Sequence, residues 1–269
     1  MGGLVLVRPW VAVAARGPAQ MVHFQDDEIA RYSRHILLPE VGGHGQQRLK
    51  QSSALVVGAG GLGAPVLIYL AAAGLGRLGV VDDDEVELSN LHRQIIHGTS
   101  DVGRLKVESA ADMLGRLNPW VAVEPHPVHL TQHNVDALVA GYDVIVDGSD
   151  NIDTRYGLAD ACERQERPLV AAALSRFDGS LTTLMPYARN ADGVLNPRLR
   201  DLFPTAAPAG SIPNCVEAGV IGTAAGILGT LQAMEVLRVL LGLGSPLVGT
   251  LLLVDTLAFR FNKIRYSRA

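Results

Sequence analysis

The chain has 269 residues, 48% of them hydrophobic, 19% charged and 5% aromatic. A chain of that length buries roughly three quarters of its unfolded surface, so a core needs no disulfide or metal staple. The net charge is −4 and no basic stripe is visible, which argues against nucleic-acid binding by phosphate neutralisation.

The first twenty residues, MGGLVLVRPWVAVAARGPAQ, hold an apolar run interrupted by Arg8 and Pro9. Residues 1–23 read as a disordered or non-native extension ahead of a second start at Met21, rather than as an export signal. Residues 24–269 read as one domain.

Gln25–Leu37 predicts a short helix with Asp26 and Asp27 near its start. Ser53–Val57 is a continuous apolar run, the mark of a strand buried on both faces. Ala64–Ala73 reads as a helix stopped at Gly74, Arg77–Asp82 as a second buried strand, and Arg104–Leu117 as an amphipathic helix ended by Asn118-Pro119. Val121–Glu124, Asp143–Asp147 and Arg167–Ala172 follow as strands, separated by helices over Gln132–Ala140 and Asn151–Gln165. Strand and helix thus alternate up to about residue 172, which predicts a doubly wound, mostly parallel α/β sheet of Rossmann-like, nucleotide-binding type.

The grammar then changes to an antiparallel C-terminal portion. Leu169–Leu174 and Ser180–Met185 flank a hairpin-like turn, and Pro186–Val216 is irregular with five of the 14 prolines. Gly219, Gly222, Gly226 and Gly229 space a long helix to about Gly242, giving it a narrow face for close backbone packing. Val248–Val254 and Ala258–Ile264 predict two last strands. The longest uncharged stretch, Ala218 to Met234, is 17 residues with four glycines, short of the ~20 apolar residues a membrane span needs.

Gly58, Gly60, Gly61 and Gly63 satisfy GxGxxG between a strand and a helix, and Asp82 ends the next strand. Glycines let backbone N–H groups approach phosphate, the helix N-terminus adds partial positive charge, and the carboxylate can accept ribose hydroxyls. This motif alone leaves NAD, FAD and ATP open. The stretch DDDEVELSNLHRQ then places Asn90, Arg93 and Gln94 beyond the second strand, with Lys106 close behind. A triphosphate needs cations where charge develops, and one of only three lysines standing here is not background.

RYSRHILLPEVGGHGQQRL (31–49), VVGAGGLGAPVLIYLAAAGLGRLGVVDDDEVELSNLHRQ (56–94), VGRLKVESA (102–110), VDGSDNIDTR (146–155), CVEAGVIG (215–222) and GTLQAMEVLRVLLG (229–242) together resemble the ThiF/MoeB/HesA group, bacterial relatives of ubiquitin-activating enzymes. The resemblance implies an adenylyltransferase that uses ATP and Mg²⁺ to activate the C-terminal glycine of a small ubiquitin-like sulfur carrier ending in Gly-Gly. Such carriers serve thiamin, molybdopterin or tRNA thiolation pathways. By that resemblance the four glycines line the adenosine and phosphates, Asp82 holds the ribose with Asp84 assisting, and Asn90, Arg93, Gln94 and Lys106 bind the triphosphate. Asp150 holds magnesium; the alternative is a cap of the following helix, and the two roles can coexist. Arg34 reaches the phosphates of a second subunit's site, which implies a homodimer.

Cys215 is a candidate for a later thiol step, since a thiol at a helix N-terminus can have a lowered pKa. Cys162 reads as a packing residue. Two cysteines cannot form the four-thiolate zinc site that many members of the group carry, so no zinc is expected. His92, His97, His126, His129 and His133 show no ligand pattern. With no CxxC pair, a reducing, cytoplasmic setting is expected, and any sulfurtransferase would be a separate protein. Two alternatives remain: adenylation of a peptide or tRNA by the same fold, and an NAD-linked oxidoreductase, which leaves SNLHRQ and GSDN unexplained.

Overall fold

A computed structural model describes residues 23–205 and 219–269. The N-terminal extension up to residue 22, and Cys215 with it, lie outside the described residues. Two helices, α1 (Asp26–Ile36) and α2 (Gly42–Gln51), lead into the alternating portion. This runs β1 (Ser53–Val57), α3 (Gly63–Ala72), β2 (Arg77–Val81), α4 (Lys106–Leu117), β3 (Ala122–His126), α5 (Val135–Ala140), β4 (Val144–Asp147) and α6 (Ile152–Arg164). The rest comprises β5 (Leu169–Ser175), β6 (Asp178–Leu184), α7 (Leu199–Leu202), α8 (Gly222–Leu241), β7 (Thr250–Asp255) and β8 (Arg260–Arg265).

The strands form one eight-stranded sheet in the order β3-β2-β1-β4-β5-β6-β7-β8. Pairing is parallel from β3 to β5 and antiparallel from β5 to β8, as expected. The order reverses between β1 and β4, and a doubly wound sheet opens its ligand crevice at such a reversal, beyond the carboxyl ends of the strands. β1 shows how the sheet buries both faces. Its Ala54 and Val56 pack into one cluster with α3, α4 and α8, while Leu55 and Val57 join a second with α5 and α6.

Helix α2 is absent from the sequence reading. GGHGQQRLKQ carries three glycines and no apolar period, so its local propensity is poor. Tertiary anchors hold it: the buried Gln46 side chain donates to Ala73 O at 2.8 Å, and Leu49 is fully enclosed.

Helix α8 is 20 residues, not the 17 of the uncharged stretch, and is long and apolar enough to cross a bilayer by length and composition. In this fold it packs on the sheet and carries buried polar groups. Glu235 Oε1 accepts from Thr183 Oγ1 at 2.7 Å and from the Leu247 amide. The close-packing face is real at Gly229, where a Cβ would lie 2.6 Å from Leu62 O, and at Gly222, where it would lie 2.2 Å from His92 O. Gly226 differs, since a Cβ there meets nothing within 4 Å.

Candidate active site

A cleft of about 690 Å³ opens at the β1/β4 reversal. Gly58, Gly60 and Gly61 line it from the loop after β1, Asp82 and Asp84 from the end of β2. Arg93 and Gln94 enter from the connection between β2 and α4, Lys106 from the first position of α4, and Asp150 from the loop after β4. Nine residues singled out from sequence therefore share one cavity.

The glycines divide into two kinds. Gly58 has φ +95° and donates its N–H to Val81 O at 2.7 Å, and a Cβ there would lie 2.8 Å from Gly148 O. Gly63 does not line the cleft. It starts α3 against Gly58 O, where a Cβ would fall at 1.8 Å, so its service is packing and not ligand contact. Gly60 and Gly61 face the cavity beside Gly58.

Asp82 is largely buried and accepts from two amides, Ala59 N at 2.8 Å and Asp84 N at 3.0 Å. Burial pushes its pKa up, while the Lys106 ammonium, 3.7 Å away, pulls it down less strongly. Lys106 also pairs with Asp84 at 2.6 Å. Asn90 is buried behind the cleft rather than in it. Its Oδ1 accepts from the Arg93 guanidinium at 3.0 Å, so it orients the arginine. Gln94 is 4% exposed, and its Oε1 is buried with no hydrogen-bond partner. Such an atom suits a ligand donor or a cation.

Asp150 is exposed at the rim, with no ion pair among the described residues. It is not the cap of α6. Asn151 takes that position, its side chain accepting from Thr154 N at 2.8 Å. A free carboxylate facing the cleft is the hard oxygen donor that Mg²⁺ prefers. Asp82, Asp83 and Asp84 can also bring one carboxylate oxygen each within 4.8 Å of one another.

Sequence reasoning missed the support under this loop. Asp147 is fully buried at the end of β4. Its Oδ1 accepts from the Ser149 amide at 3.0 Å and hydroxyl at 2.6 Å. Arg155 Nε lies 3.1 Å from Asp147 Oδ2, close enough to pair but not aligned for a hydrogen bond. The Gln232 amide on α8 spans two strand ends, donating to Asp147 O at 2.7 Å and Val170 O at 3.0 Å. The signal available was the polar Gln232 inside an apolar helix. Arg34 lies exposed on α1 and outside the cleft. Cys162 is buried in the second core cluster, where burial pushes its thiol far above the ordinary range. Of the histidines, His126 ends β3 and His97 is buried.

The ThiF family model matches residues 32–269. The chain is 48% identical over 242 residues to the sulfur carrier protein adenylyltransferase of Thermus thermophilus, covering 90% of this chain and 89% of that protein. It is 48% identical over 242 residues to the adenylyltransferase and sulfurtransferase MOCS3 of Anopheles gambiae, covering 89% of this chain but 53% of that protein, so it spans about half of such relatives. Among solved structures it superposes on PaaA with a TM-score of 0.76 at 24% identity, covering 95% of this chain and 79% of that one. At that identity the likeness concerns the fold.

Proposed function

The chain belongs to the ThiF family, and from that premise we propose that it uses ATP to adenylate the C-terminal glycine of a small ubiquitin-like sulfur-carrier protein. The observation that carries this reading is the meeting of Arg93 and Lys106 with the Gly60–Gly61 loop in one cleft. A loop of amides serves a diphosphate well enough; two added cations suit a triphosphate that must lose pyrophosphate.

The carrier's carboxylate oxygen attacks the α-phosphorus. The new bond is carboxylate oxygen to phosphorus, and the bond from phosphorus to the bridging oxygen of the β-phosphate breaks. Pyrophosphate leaves with that electron pair. A carboxylate is already a nucleophile, so no general base is required. The chain's task is positioning and charge stabilisation. Asp82 receives the ribose hydroxyls, with Asp84 beside it. Gly60 and Gly61 present backbone to the phosphates, and Gln94, Arg93 and Lys106 hold the triphosphate, with Asn90 fixing the arginine. Asp150 would hold Mg²⁺, whose chemistry is to neutralise phosphate charge.

Arg34 completes the site of a second copy in a homodimer. Cys215 acts only after adenylation, in a thiol step supplied by a separate sulfurtransferase, and the protein works without zinc. Carriers of the thiamin, molybdopterin and tRNA thiolation pathways are the candidates.

Carrier-dependent exchange of labelled pyrophosphate into ATP tests this reading. Exchange that requires both ATP and a carrier ending in Gly-Gly is the expected result. Exchange driven equally by a short peptide or a tRNA would move the substrate to that class, and none with any of them would remove adenylation.

A further inference from the structure

Ala59, the middle residue of Gly58-Ala59-Gly60, is gripped on both sides. Its amide donates to Asp82 Oδ2 at 2.8 Å, and its carbonyl oxygen lies 3.1 Å from His97 Nε2. A carbonyl can only accept, so Nε2 carries the proton. The other ring nitrogen, Nδ1, lies 2.8 Å from Ser109 Oγ, within hydrogen-bond reach. His97 is 7% exposed and Ser109 2% exposed. Burial, chiefly, pushes the imidazole pKa down, the bond to the Ala59 carbonyl and the Asp101 charge pull it up, and the Lys106 charge adds to the lowering. Helix α4 holds the ring in place through Ser109.

The carbonyl of Ala59 and the N–H of Gly60 belong to one planar peptide unit, and no cis peptide is present among the described residues. In a trans unit the two point to opposite sides. Pulling Ala59 O inward to a buried imidazole turns the Gly60 N–H the other way. Gly60 lines the cleft, and its N–H meets no acceptor among the described residues. We infer that His97 is a positioning residue of the phosphate loop: by holding the Ala59 carbonyl it aims the Gly60 amide at a phosphate oxygen of the bound nucleotide. The inference rests on the nucleotide reading above but not on the identity of the carrier. Without the imidazole, the Ala59–Gly60 unit can rotate, and the amide is no longer preset.

The test compares ATP with adenosine, because the loop amide serves the phosphates while Asp82 serves the ribose. His97→Leu removes the donor, and His97→Gln offers a side-chain amide that can reach both Ala59 O and Ser109. Binding of ATP and of adenosine is measured by calorimetry or competition on the full chain. The expected result for His97→Leu is ATP binding weakened about tenfold, the loss of one charge-assisted hydrogen bond, with adenosine changed by less than about twofold and ATP binding restored in His97→Gln. Equal losses for both ligands, no loss of ATP binding in either variant, or failure of His97→Gln to recover would overturn the inference. Should His97→Leu not fold, His97→Gln and Ser109→Ala carry the comparison. Ser109→Ala should weaken ATP alone by a smaller factor, and an unselective effect overturns the inference as well. Wild-type protein that binds ATP but adenylates no carrier would defeat the carrier reading while leaving this one standing. Wild type that binds no ATP would defeat both.

Discussion

Lys106 Nζ lies 2.6 Å from Asp84 Oδ2 and 3.7 Å from Asp82 Oδ1, so one ammonium at the mouth of the cleft serves two carboxylates of unlike exposure. Asp84 is two-thirds exposed, so water screens its pair with Lys106. Asp82 is buried, and desolvation outweighs the lysine's attraction, so its pKa stands above the ordinary 3.8.

A pH dependence follows from that sign. The native state holds the Asp82 proton more tightly than the unfolded chain, so its contribution to stability falls as pH rises from about 3.8 through the raised folded value, then levels off. Asp82→Asn is neutral throughout. The melting temperature of Asp82→Asn minus that of wild type should therefore climb across this window and stay flat above it. A difference that falls with pH would mean that Lys106 outweighs burial.

Two glycines on α8 should answer alanine in opposite directions. Gly229→Ala places a methyl 2.4 Å from Pro65 Cγ and 2.6 Å from Leu62 O, so α3 and α8 must part, at a cost of about 1–3 kcal/mol. Gly226→Ala meets open space in a helix interior and should gain about 0.5–1 kcal/mol. Urea unfolding midpoints measure both, and a stabilised Gly229→Ala would show that the contact between the two helices is loose enough to admit a methyl.

Asp150 and Arg34 lie apart, one at the cleft and one outside it, which makes complementation decisive. Asp150→Ala and Arg34→Ala variants should each lose pyrophosphate exchange by more than about tenfold, 1.4 kcal/mol. If Arg34 serves a second copy's site, mixing the two variants under subunit exchange restores one of the two sites in each mixed dimer, up to about a quarter of all sites. If it serves its own, mixing restores none. Asp150→Ala within about tenfold of wild type would remove the metal role.

Zinc provides a separate check. Elemental analysis of protein purified without added zinc should find well under one equivalent, because two cysteines cannot supply four thiolates and Cys162 is enclosed in the core. Stoichiometric, chelator-resistant zinc would show that other ligands build such a site.

The inner parallel strands β1 and β4 were legible because strands buried on both faces are written as apolar runs, as in Ser53–Val57 and within Asp143–Asp147. The glycine loop and its cations were legible because phosphate chemistry restricts residue type. What could not be read depends on contacts distant in sequence. Helix α2 forms against its own composition through Gln46 and Ala73. Gly63 reads as a ligand residue in the motif but is consumed by packing on Gly58. Asn151 caps α6 in place of Asp150, a one-residue distinction that only backbone geometry makes. His97 shows no ligand pattern in sequence and Gln232 went unread, since their partners Ala59, Asp147 and Val170 reach them only in the fold.

The central claim is that this cleft joins AMP to a protein's C-terminal carboxylate. Its most direct measurement is mass analysis of a Gly-Gly-ending carrier incubated with the protein and ATP, then quenched with hydroxylamine. The account predicts a C-terminal hydroxamate that requires ATP, is absent from a carrier lacking its last glycine, and survives Cys215→Ala. A carrier left unmodified while the protein binds ATP, or a hydroxamate lost in a folded Cys215→Ala variant, would contradict it.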